Sequence, residues 1–203
     1  MAISLSKGQK ISLKKNEQRH GLGEILVNLN WNSQPERQGF LAGLFGGKSG
    51  IDLDLGCLFE LKNGQIGAVQ ALGNSFGNLA SPPYISLDGD DRTGDSDAGE
   101  TLRINGDKIS EIKRILVYTF IYEGIANWKH ADATVTIKYP GAEDIIVKMD
   151  SYDSSQIMCG LALFQNVNDE TFSVEKIVQF YQGHEELDRQ FGWGIQWEPG
   201  RKE

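Results

Sequence analysis

The chain has 203 residues, 39% of them hydrophobic, which is enough to core one domain and excludes a disordered polyampholyte. Twenty basic against 28 acidic residues leave a net charge of −8, which repels phosphate backbones and argues against a nucleic-acid partner. No apolar run reaches the roughly 18 residues of a membrane-spanning helix, and the start, MAISLSKGQK, lacks the layout of a secretory signal, so a cytoplasmic protein is expected.

Glycine stands out at 24 of 203 residues, against an average usage near 7%, and most of these glycines separate short apolar stretches in the manner of an all-β domain. In chain order, Glu24–Trp31 reads as a strand. Gln34 to Gly50 (QPERQGFLAGLFGGKSG) is a long glycine-rich insert carrying Phe40, Leu41, Leu44 and Phe45, and reads as a surface loop. Ile51–Leu61 follows as a strand in which Ile51, Leu53 and Leu55 alternate with Asp52 and Asp54. Asn63-Gly64 offers a tight turn into a strand at Gln65–Leu72.

Further strands are expected at Arg114–Ile121, Ala133–Tyr139, Ile145–Met149, Gln156–Asn166 and Phe172–Tyr181, rich in β-branched and aromatic residues and of lengths that suit a sandwich. Short turns are expected near Lys108–Lys113 and Ile125–Lys129. Helical patterning is sparse. His184–Phe191 is the best case, with acids early and Gly192 after it. Neither repeat nor linker divides the chain, so residues 1–203 read as a single domain. Cys57 and Cys159 lie in apolar strand-like runs and read as reduced core residues.

Three motifs bear on function. Residues 42–49, AGLFGGKS, match the permissive phosphate-loop pattern, whose chemistry needs a helix N-terminus directly after the lysine. Here Lys48 and Ser49 run through Gly50 into a strand, which argues against a nucleotide site. The second motif is the run from Asp88 to Glu100, DGDDRTGDSDAGE, with six acids in thirteen residues. Glycine-spaced oxygen donors suit calcium, which takes 6–8 oxygen ligands in loose geometry. A solvated acidic loop explains the same composition, and the run itself does not decide between them. It is no EF-hand, because Arg92 and Thr93 stand at the fifth and sixth positions. The third is Asp52 with Asp54, two apart on a strand and so on one face. Amphipathic alternation with a wet outer face accounts for the pair. Joined to the acidic run, it would also complete a site of many oxygens.

Catalytic signatures are lacking. His20, His130 and His184 have no partner at metal-ligand spacing and read as surface or cap residues; HEELD at 184–188 lacks the second histidine of a zinc-protease helix. No Gly-x-Ser-x-Gly elbow occurs. Trp31, Trp128, Trp193 and Trp197 read as packing residues.

Ser4-Leu-Ser-Lys-Gly8, Leu29-Asn-Trp31, Asp52-Leu-Asp54 and Gly89-Asp-Asp-Arg-Thr-Gly94 with its trailing acids occur in this order over nearly the whole chain. This combination resembles the tellurium-resistance TerD family of bacterial stress proteins, and within it the TerA-like members. The resemblance implies a β-sandwich similar to calcium-dependent lipid-binding domains, calcium held by acidic loops, and a role in tellurite and wider stress resistance without catalysis. Carried over residue by residue, it assigns Asp52 and Asp54 to the family's Asp-x-Asp strand, and Asp90 and Asp91 to its Gly-Asp-Asn-Arg-Thr-Gly element. Asp95, Asp97 and Glu100 match the trailing acids. The chain departs from the family at Asn32, where an aspartate is common, and at Ala98-Gly99, where acids are common. The function expected is a non-enzymatic calcium-binding stress module. It would dock protein partners of a stress-resistance complex, and its insert is a candidate for peripheral membrane contact. A metal-free interaction module of the same fold is the first alternative, and a nucleotide-binding enzyme using residues 42–49 the second.

Overall fold

Alternation of apolar and polar side chains draws most of this chain into strands whose apolar rows meet between two sheets. The computed structural model describes residues 2–15, 21–32, 51–88, 99–124 and 127–200. Along them run β1 (Ile3–Ser4), β2 (Lys10–Ser12), β3 (Glu24–Asn30), β4 (Asp52–Leu61), β5 (Ile66–Gln70), β6 (Gly77–Asn78) and β7 (Ile85–Asp88). They continue as β8 (Glu100–Asn105), β9 (Ile112–Glu123), β10 (Thr134–Lys138), β11 (Ile145–Lys148), β12 (Met158–Val167) and β13 (Thr171–Tyr181). Two helices, α1 (Trp128–Ala131) and α2 (His184–Phe191), and two short 3-10 turns complete the described elements.

The strands form two sheets, one in the order β1-β11-β10-β3-β8-β7-β6 and the other β2-β13-β12-β9-β4-β5. All pairings are antiparallel except β1 with β11. The all-β sandwich that the sequence implies is therefore the architecture found. β4 shows how one strand serves two apolar layers. Leu53, Leu55, Cys57, Phe59 and Leu61 point into the main core, where they join Ile25, Val27 and Leu29 of the facing sheet. Leu58 points the other way, into a second cluster with Leu116, Tyr118, Leu187 and Trp193. Burying one such leucine or phenylalanine contributes roughly 1.5–3 kcal/mol. Gly56 permits this outer packing, since a Cβ there would lie 2.7 Å from the Tyr118 ring.

Cys57 and Cys159 are free and buried. Burial pushes the Cys57 thiol up to about 12 and the Cys159 thiol up as well, so neither is a thiolate at neutral pH.

The structure departs from the sequence reading in several places. β1, β2 and β6 are only two or three residues long, too short to show a period, and β7 has four. β8 reads ETLRIN, and its inward positions are Glu100, Leu102 and Ile104, so an acid stands where an apolar residue would mark the strand. The strand expected to run to Leu72 ends at Gln70, where a 3-10 turn over Leu72–Asn74 takes over. His184, which opens α2, is half-buried rather than exposed. Its ring lies between those of Tyr118, Phe120 and Trp197, at centroid distances of 5.4, 5.0 and 4.9 Å.

Candidate metal centre

Asp52 and Asp54 open β4, and the pleat sends side chains two apart to one face. A wet face was the expectation, and Asp54 overturns it at 0% exposure. Its side of the sheet carries the second apolar cluster, which α2 and the C-terminal residues cover. Tyr118 registers the proximity: burial, then Cys57, then the Asp54 carboxylate hold its phenol well above the ordinary value. Asp52 is half-buried. A bulge between Asp52 and Leu53 sets it directly opposite Glu123, at the end of β9. Two acids thus face one another across this antiparallel strand end. Glu123 went unnoticed in the sequence because only strand register brings it there.

Glu100 reaches the same end from the other sheet. It starts β8, is 1% exposed, and its Oε2 accepts a hydrogen bond from Leu55 N at 2.6 Å. Its carboxylate thus lies against the peptide that joins Asp54 to Leu55. Gly99 makes the approach possible: its φ is +59°, and a Cβ there would come within 2.1 Å of Leu29 O. Glycine at 99, where the family often has an acid, is what this backbone requires. On the neighbouring β7, Asp88 binds Arg103 of β8, with Arg103 Nε 2.6 Å from Oδ2. Arg103 also holds Glu24 of β3. The first acid of the run is therefore engaged in a sheet-spanning ion pair.

Two carboxylates withdrawn from solvent at one end of a sandwich carry a desolvation penalty of several kcal/mol each when ionised, which a nearby cation offsets. Carboxylate oxygen is the donor that calcium prefers. Among the described residues no three acids lie close enough together to hold an ion. Asp90, Asp91, Asp95 and Asp97 lie outside the described residues. So do the insert at 34–50 and its Lys48 and Ser49. On either side of that insert, Trp31 Nε1 donates to Ile51 O at 3.0 Å, so the described flanks meet beside Asp52.

A model of the TerD domain matches residues 1–138. Over 201 residues the chain is 43% identical to the tellurium resistance protein TerA of an Alcaligenes species, which covers 98% of this chain and 58% of that protein. It is 38% identical over 128 residues to the stress response protein SCP2 of Bacillus subtilis, covering 61% of this chain and 62% of that one. The chain thus spans less than two thirds of the length of these curated relatives. A solved structure from Streptomyces coelicolor, a homologue of the telluride resistance protein TerD, superposes with a TM-score of 0.54 at 17% identity, covering 83% of this chain and 95% of that one. A protein of unknown function, SAV2460, superposes with a TM-score of 0.60 at 13% identity over 87% of this chain and 99% of that one. Both structures share the fold.

Proposed function

The chain belongs to the TerD family, whose named members are tellurium-resistance and stress-response proteins, and from that premise we propose that it is a non-enzymatic calcium-binding module that works by docking partner proteins. The observation that supports this reading most is the burial of two acids at one end of the sandwich, Asp54 on the outer face of β4 and Glu100 reaching the Leu55 amide from the facing sheet, with Asp52 and Glu123 at the same strand end. Asp52, Asp54 and Glu100 would hold the ion together with Asp90, Asp91, Asp95 and Asp97. Calcium bound there would offset the repulsion among these carboxylates. On this reading β4 would supply Asp54 from one sheet and β8 would supply Glu100 from the other. A module of this kind would act in the cytoplasm on protein partners of a stress-resistance complex, with peripheral membrane contact as a further mode of docking.

A metal-free interaction module has one observation in its favour, since Glu100 already serves the Leu55 amide. Calorimetric titration separates the readings. Calcium binding with a rise in melting temperature is expected, and no heat with calcium but heat with ATP would replace the proposal with the nucleotide reading at Lys48 and Ser49. Silence with both would leave the metal-free module.

A further inference from the structure

The outer face of the six-stranded sheet, the face on which Asp54 also lies, carries a cavity of about 780 Å³, within the size range of small-molecule sites. It exists because the chain after α2 folds back. Asp188, 5% exposed, accepts from Gly194 N at 2.7 Å, Ile195 N at 2.8 Å and Trp197 Nε1 at 2.9 Å. The tail then crosses to Leu72 and Gly73, against which Gly200 packs. Between these two anchor points the tail forms an arch over the sheet.

The floor is polar and built. Gln70 is 7% exposed, and its Oε1 accepts from the Tyr118 hydroxyl at 2.5 Å and meets His184 Nε2 at 2.9 Å. One wall is the Trp197 ring, held by Asp188 and set at 47° to the His184 ring. Leu72 supplies an aliphatic surface opposite. Among the described residues the rim is acidic: Glu185, Glu186 and Glu198 line it with Arg189. A helix N-terminus ordinarily favours an anion, and here the first turn already provides two carboxylates, with Glu186 Oε2 accepting from Gln182 N at 2.6 Å. An incoming anion would meet those carboxylates. A cation would meet both them and an aromatic face.

We propose that this cavity binds a small organic cation, an amine or guanidine on an apolar body, with the body against Trp197 and Leu72 and the charge toward Glu185 and Glu198. The reading does not rest on calcium binding by the acids at 52–100.

Agmatine is the probe, with adipate as its anionic counterpart and a lysine-rich peptide as a macromolecular one, all in saturating calcium so that the run at 88–100 does not compete. The readout is the indole N–H resonance of Trp197 in nitrogen-correlated NMR spectra, identified by its loss in Trp197→Phe. Agmatine is expected to shift that resonance saturably, with dissociation below about 10 mM, and to bind about tenfold more weakly to the Glu185→Gln/Glu198→Gln variant, whose altered side chains are exposed. The proposal fails if agmatine does not saturate, if the double variant binds it equally well, if adipate binds as tightly, or if only the peptide moves the resonance.

Discussion

Asp188 is 5% exposed and receives three N–H groups of the chain that follows it, whereas Asp54 and Glu100, at 0% and 1%, share their end of the sandwich with Asp52 and Glu123. The end of α2 is held by a cation, Arg114, itself paired with Glu60. Arg114 stacks 3.7 Å over the Trp193 ring and donates to the carbonyls of Phe191 and Gly192. Close to Asp54 lies the Tyr118 phenol, whose ionisation Asp54 opposes. Two equally buried carboxyl regions thus differ in what their surroundings ask of them. Asp188 is a clasp that orders the tail. The other end gathers the carboxyl groups that, on the proposed reading, calcium would hold, so burial by itself does not identify a site.

The sharpest way to break this comparison is Asp188→Ala. Losing three charge-assisted hydrogen bonds at a buried position should cost about 4 kcal/mol, measured by urea unfolding, and the loss should be equal in chelator and in calcium. A loss that calcium restores would put Asp188 in the same class as Asp54.

Asp54→Asn tests the opposite region. In chelator the variant should be as stable as the parent or more so, since a buried carboxylate carries a desolvation penalty that the isosteric amide lacks. In calcium at a hundredfold excess over Kd the parent should gain about 2.7 kcal/mol, and the variant should gain much less. Thermal melts with and without calcium give both values, and a full calcium gain in the variant would remove Asp54 from the site.

pH separates the regions again. Burial pushes His184 down to about 4 from an ordinary 6.5. The unfolded chain therefore takes up a proton that the native ring refuses, so stability is complete above pH 6.5 and falls as pH drops toward 4. About 2 kcal/mol should be lost across that window, allowing for partial exposure of the ring. His184→Gln should flatten that part of the profile, and a slope that survives the substitution would belong to other groups.

The smallest effect is expected from Arg103→Ala. The Arg103 side chain is 39% exposed, and its pairs with Asp88 and Glu24 are open to water, so the change should stay within about 1 kcal/mol and shrink further in salt. A larger loss in equilibrium unfolding would mean that this surface pair anchors the sheet beside the acidic end.

Much of the sandwich was legible because alternation is local. β3, β10 and the start of β4 carry their period in adjacent residues, β9 and β12 are marked by runs of β-branched and aromatic residues, and the acids ahead of Gly192 marked α2. The same logic put Asp52 and Asp54 on one face. β8 was not legible, since Glu100 occupies an inward position and breaks the apolar row from which a strand is recognised.

From the sequence by itself follow the all-β class, the buried reduced cysteines and the family, each set by composition, neighbouring residues or motif order. Only the tertiary structure decided that Asp54 is covered, that Glu100 crosses from the other sheet to the Leu55 amide, that register brings Glu123 opposite Asp52, and that the tail arches over His184. The reason is one of range. A side chain's periodicity depends on residues two to four positions away, while its burial and electrostatic surroundings depend on whatever distant segment the fold lays against it.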